Sequence, residues 1–168
     1  DVADGNSGLL QNGATFAPGK VGQAFSFDGV NDFVKVAKAP NLNITNTVTL
    51  DFWMRGDPSN PMNTCCQGLV TTDFYGVEIS SGHTGINGIN FFISTNSGAY
   101  FHHTADVVGG GYNLPPGEWH HVAGVYDGSN LRLYIDGQLR AQTPHIGTIS
   151  PMRANSYLTI GSEDGRTA

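Results

Sequence analysis

Charge is scarce in this chain of 168 residues: Asp, Glu, Lys and Arg make up only 13% of it, about half the usual ~25%. So little charge excludes a coiled coil, whose outer positions are charged throughout. The charges sum to −6, and no run of basic residues makes a local positive patch. A phosphate-backbone or anionic-lipid partner needs such a patch, so no nucleic acid is expected. No apolar run approaches the ~18 residues of a membrane span, so no membrane insertion is expected either. Helical patterning is also missing. No window of a dozen residues carries a 3.6-residue apolar stripe free of Gly and Pro. Cysteine is limited to the adjacent pair Cys65 and Cys66. Consecutive Cα atoms lie ~3.8 Å apart, against ~4.4–6.8 Å for bridged ones. Three readings stay open: two free thiols, a strained vicinal disulfide, or one cysteine paired outside this chain. No second cysteine pair or spaced histidine pair completes a zinc-type site.

What the chain does have is glycine and aromatic side chains. Glycine accounts for 23 residues, near twice the usual ~7%, and without the three-residue period of collagen. Nine Phe, six Tyr and two Trp argue against disorder. The length fits one domain that buries roughly two-thirds of its unfolded surface. The sequence begins Asp1-Val2-Ala3-Asp4-Gly5, with no Met and no signal peptide, as expected of an excised piece. No residue pattern sets an oligomeric state.

Apolar residues recur with period two. In Thr47–Arg55, Val48, Leu50, Phe52 and Met54 share one face and Thr49, Asp51 and Trp53 the other, the pattern of a half-buried antiparallel strand. Ala24–Phe27 and Phe33–Val36 read the same way around the turn-rich Asp28-Gly29-Val30-Asn31-Asp32. Trp119–Tyr126, Leu131–Ile135 and Gln138–Gln142 predict a meander, its second turn Asp136-Gly137 favouring type I′. Leu131, Leu133 and Ile135 are expected inward, with Arg132 and Tyr134 outward. Further strands are expected at Gly68–Thr71, Tyr75–Ser80, Ile89–Ser94, Tyr100–His103 and Tyr157–Ile160. Short strands punctuated by turns predict an all-β, antiparallel two-sheet sandwich or jelly roll.

These residues resemble a known family. Gly19-Lys20-Val21-Gly22-Gln23-Ala24-Phe25-Ser26-Phe27-Asp28-Gly29 with Asn31-Asp32-Phe33-Val34 is similar to the front signature of laminin-G-like modules of the concanavalin A-like lectin/glucanase superfamily. Trp119–Gly128 and Leu133–Gly137 resemble its most recognisable block, and Ile160-Gly161-Ser162 its penultimate strand. The resemblance implies a single concanavalin A-like jelly roll over residues 1–168, cut before the family's closing strand. It implies a non-catalytic module of a secreted or surface protein that binds a glycan. The rival readings are a protein–protein adhesion module and a glycan-active enzyme with a cryptic site.

Superfamily glucanases pair two carboxylates across a groove, commonly as a Glu-x-Asp-x-x-Glu strand. The glutamates here are Glu78, Glu118 and Glu163, and none forms that pattern. Asp73 and Glu78, five residues apart, are expected on opposite faces of a strand. Neither a Gly-x-Ser-x-Gly elbow nor a phosphate-cradling loop is present, so no catalytic residues are assigned. The pairs His102-His103 and His120-His121 could supply a cross-strand metal dyad, with His83 or His145 as a third ligand. Against that stands the plain reading of hydrogen-bonded or solvent-facing strand residues. Calcium is the better metal expectation, because Asp28, Asn31 and Asp32 put two carboxylates and an amide into one turn. The resemblance implies that Asp4 and Asn6 join them, for a structural calcium ion. Sugar-stacking aromatics are expected at Trp53, Tyr100 and Tyr134 on outward faces, and at Tyr75 and Tyr112 on loops. The plain reading of each is core or sheet-surface packing.

Overall fold

A computed structural model describes residues 3–58, 67–80, 88–95, 106–109 and 114–162. Its strands are β1 (Gly8–Gln11), β2 (Thr15–Pro18), β3 (Gln23–Ser26), β4 (Phe33–Ala37), β5 (Val48–Met54), β6 (Gln67–Thr71) and β7 (Tyr75–Ser80). They continue as β8 (Gly88–Ile93), β9 (Asp106–Gly109), β10 (His120–Tyr126), β11 (Asn130–Ile135), β12 (Gln138–Pro144) and β13 (Tyr157–Ile160). One sheet has seven strands in the order β1-β4-β13-β6-β7-β8-β9, a second has four in the order β12-β11-β10-β5, and β2-β3 form a separate hairpin. Every pairing is antiparallel. The expected two-sheet sandwich is what forms.

Alternation decides which side chains meet between the sheets. Val77 and Ile79 of β7 and Ile89, Phe91 and Ile93 of β8 meet Val122 and Tyr126 of β10 and Leu131, Leu133 and Ile135 of β11. The three inward positions expected on β11 are therefore correct. Buried tyrosine hydroxyls need a partner, and Tyr126 finds one by donating to the Gly147 carbonyl at 2.6 Å. Asp136 (φ 52) and Gly137 (φ 75) both lie in the left-handed region, as the expected type I′ turn requires.

The outer face of the larger sheet is not simply solvated. Glu78, Asn90 and Phe92 alternate with the core residues of β7 and β8, yet all three are buried. A β-carbon on Gly76 would stand 2.9 Å from Cε1 of Phe92, so the ring lies across the glycine. Strands β1, β2 and β9 are not anticipated by apolar alternation. The strand expected at Tyr100–His103 lies outside the described residues, as do Cys65 and Cys66.

Candidate functional site

The outward face of the smaller sheet gathers the polar and aromatic side chains that alternation keeps out of the core. In register, Trp53 of β5 stands opposite His121 of β10, and Asp51 stands opposite Ala123. Ala123 in turn faces Tyr134 of β11, which faces Leu139 of β12. The shortest side chain of that row, Ala123, thus lies between Asp51 and Tyr134. Trp53 is 45% exposed, and its ring centroid lies 5.3 Å from that of His121. His121 Nε2 is 3.6 Å from an Asp51 carboxylate oxygen, with the two side chains 30% and 66% exposed. Lys20, in the turn of the β2–β3 hairpin, sets its ammonium 5.1 Å from the Trp53 ring centroid.

Elsewhere on this sheet polar side chains pair with one another. Arg132 donates to Asp127 at 2.6 Å and to Gln142 at 3.1 Å. Hydrogen bonds from the Ser129 hydroxyl and amide, then from Arg132, hold the Asp127 carboxyl well below its ordinary range. Asp136 is likewise held low, first by the side-chain bond to His120 and then by the His121 amide. His120 Nδ1 lies 2.9 Å from Asp136 Oδ2. Neighbours in sequence, His120 and His121 are thus committed to opposite sides of β10.

Of the expected platform residues, Trp53 and Tyr134 share the outward face. Tyr75 requires a correction. It heads β7 and is only 1% exposed, its hydroxyl donating to the Leu42 carbonyl at 2.7 Å. Burial, and then the nearby Asp73 charge, push its phenol up to about 12. A residue so enclosed cannot be a sugar platform. Tyr100, Tyr112, His83, His102 and His103 lie outside the described residues. Sequence reasoning overlooked Asp51 and Lys20. Asp51 was legible as a face-mate of Trp53, whereas nothing local signals that the hairpin turn reaches β5.

The turn between β3 and β4 brings together Asp28 and Asp32. The Asp28 amide donates to Asp32 Oδ2 at 3.0 Å, and the Val30 amide to Asp28 Oδ1 at 2.8 Å. Asn31 contributes its carbonyl to the Asn12 side chain at 2.8 Å. Among the described residues no three His, Cys, Asp or Glu side chains gather as a metal site. Calcium takes amide and carbonyl oxygens as well as carboxylates, so the expected set does not depend on a third carboxylate. Of the histidine pairs considered for a metal dyad, His120-His121 falls among the described residues and His102-His103 does not. One feature still fits a cation: Asp32 is buried and its Oδ1 has no hydrogen-bond partner. A β-carbon on Gly13 would stand 3.0 Å from that oxygen, so the glycine leaves the approach open.

Residues 28–168 match the laminin G profile of the concanavalin A-like lectin/glucanases superfamily. The chain belongs to this superfamily. Its fold is similar to that of domain 4 of AbnA, an extracellular GH43 arabinanase from Geobacillus stearothermophilus, solved with arabinotriose. That match has a TM-score of 0.63 at 16% identity, over 90% of this chain and 68% of that one. The binding domain of Paraclostridial Mosquitocidal Protein 1 gives 0.65 at 13% identity, over 99% of this chain and 45% of that one. The binding domain of botulinum neurotoxin DC, in complex with SialylT, gives 0.57 at 13% identity, over 96% and 45%. This chain thus spans less than half of either toxin domain, and the likeness is one of fold. No curated protein sequence matches it.

Proposed function

We propose that this chain is a non-catalytic glycan-binding module of a secreted or surface protein, with its platform at Trp53. The observation that carries the reading is the exposed indole of Trp53 beside Asp51 and His121 on the outward face of the smaller sheet. An aromatic face takes the C–H side of a sugar ring, and a carboxylate and an imidazole alongside it bind hydroxyls. Tyr134, across Ala123, extends the platform. Fold neighbours solved with arabinotriose and SialylT support a glycan as the ligand class. A net charge of −6 suits a neutral ligand.

Glycoside hydrolysis needs two carboxylates flanking one bond. On this face Asp127 is committed to Arg132, and Asp136 turns to His120 on the other side of β10, so among the described residues Asp51 is the carboxylate that stands beside the Trp53–His121 pair. Our reading is therefore of glycan binding without turnover. A calcium ion at Asp28, Asn31 and Asp32 would be structural, with Asp32 Oδ1 as the ligand in waiting and turn carbonyls among the remaining oxygens. Asp4 and Asn6 belong to the same proposal as further oxygen ligands. A glycan array with and without calcium, followed by calorimetry on the best ligand, tests the reading. Binding that Trp53→Ala abolishes supports it, and silence on the array under both conditions sinks it.

A further inference from the structure

We propose that the outward face of the smaller sheet binds two consecutive units of a neutral glycan chain, one on Trp53 and the next on a second platform made by Trp119 and Arg55. Two platforms in a row turn the glycan reading above, on which this rests, from a single sugar into a chain. In the ladder between β5 and β10, His120 stands opposite Met54 and His121 opposite Trp53. Continued by one residue, that register sets Trp119, immediately before β10, opposite Arg55, immediately after β5. The Gly117 amide donates to the Gly56 carbonyl at 2.8 Å, so the two segments stay side by side beyond the last ladder pair. The side chains meet as this placement requires: the Arg55 guanidinium carbon lies 5.1 Å from the centroid of the Trp119 ring.

Alternation groups Arg55 with Trp53 and Trp119 with His121. Each of two successive rungs on this face therefore presents one indole and one nitrogen-bearing side chain, Trp53 with His121 and then Trp119 with Arg55. The strand that supplies the indole changes from one rung to the next, so the two indoles lie on a diagonal. Rungs two residues apart along a strand are separated by about 6.8 Å, and diagonal positions by about 7–8 Å. That spacing lets adjacent rings of one glycan chain each meet an indole, whereas a single sugar covers one.

Arg55 gives the second platform its polar edge. Arg132 is spent on Asp127 and Gln142, whereas Arg55 is exposed and lies against the half-buried Trp119. Contact with a ring holds a guanidinium in place without consuming its N–H donors. A planar fork held in this way loses little freedom when it donates to hydroxyls. Arg55 thus does for Trp119 what His121 and Asp51 do for Trp53.

The sequence holds two tryptophans, Trp53 and Trp119, so each indole can be read alone. Trp119→Phe leaves Trp53 as the sole emitter, and Trp53→Phe keeps an aromatic platform there and leaves Trp119. The probes are neutral arabinose, xylose and glucose oligomers of one, two and three units, titrated by fluorescence and calorimetry. Expected is a series in which the monosaccharide shifts Trp53 emission alone and the disaccharide shifts both. The disaccharide should bind the unaltered chain about fivefold or more tighter than the monosaccharide, the fold-change of a residue that counts in binding. Trp119→Ala should remove that gain and leave monosaccharide affinity unchanged. Arg55→Ala, at an exposed position, should remove part of it even where Trp119→Ala fails to fold. Three results overturn the second platform while sparing the first: Trp119 silent at every length that moves Trp53, a monosaccharide that moves both alike, or no gain from one unit to two. Silence of both indoles toward every oligomer overturns the glycan reading and the second platform together.

Discussion

A β-carbon placed on Gly124 would stand 2.4 Å from Cδ2 of Phe91. The two residues come from different sheets, Gly124 from β10 and Phe91 from β8, so the phenyl ring occupies the volume that a side chain on β10 would need. Glycine in a strand usually weakens it, and replacement by alanine commonly stabilises by limiting the unfolded chain. Here the sign reverses. Gly124→Ala should cost about 1–3 kcal/mol as an overpacked core site, a fall of roughly 2–12 °C in midpoint for a chain of this size. Phe91→Leu in the same chain should return part of the loss, because residues in contact are not additive. Thermal unfolding of the two single variants and the double variant checks this. Simple additivity would show that the interlock is not the cause.

Trp53→Ala separates ligand binding from stability. The indole is nearly half exposed, on the face away from the core, so unfolding should change little. Tryptophan anchors commonly account for about 2 kcal/mol or more of binding, which is roughly 30-fold in affinity. Calorimetry with the best array glycan should show at least that loss. His121→Ala should weaken binding less, since it removes a flank and leaves the platform. An unchanged affinity in Trp53→Ala would move the site off this face.

How much of this was readable beforehand depends on how local each signal is. The β10–β11–β12 meander was legible because alternation and the Asp136-Gly137 turn both act within a few residues. Tyr75 was misread as a loop residue, whereas it heads β7 and shares the inward face of Val77 and Ile79. Its burial comes from packing between sheets, and its hydroxyl is satisfied by Leu42, far away in sequence. The same limit hid Lys20 from Trp53. Glu78 and Asn90 sit in register on β7 and β8, and both are buried on a face that a sandwich ordinarily leaves to solvent. Nothing in their local sequence announces it.

Acid should loosen the meander at the turn after β11. The Asp136 carboxyl is depressed by His120 and by the His121 amide, so the folded state binds its proton less readily than the unfolded chain does. Its contribution is therefore present above the ordinary aspartate value of about 3.9 and is lost as pH falls through the folded value. Asp136→Asn keeps a side chain that tolerates the positive φ and removes the charge. Urea midpoints measured from about pH 2 to pH 7 should show wild type ahead above pH 4 and the two converging below it. A constant gap across that range would mean that ionisation is not involved.

Calcium is tested where Asp32 leaves an oxygen unpartnered. A ligand that binds only the folded state raises stability by mass action, about 2.7 kcal/mol at a hundred times its dissociation constant. For a domain of this length that is a rise of roughly 5–11 °C in midpoint, reversed by chelation. Asp32→Asn is the discriminating variant. Its amide oxygen can still accept the Asp28 N–H that Asp32 Oδ2 accepts at 3.0 Å, so the turn keeps its hydrogen bond while the anionic ligand is gone. The variant should unfold close to wild type without calcium and gain little when it is added, with magnesium inert for both because it demands smaller, stricter octahedral geometry. A midpoint indifferent to calcium in the wild-type chain would leave Asp28 and Asp32 as the braces of a β3–β4 turn, with the unpartnered oxygen a cost of burying a carboxylate behind Gly13.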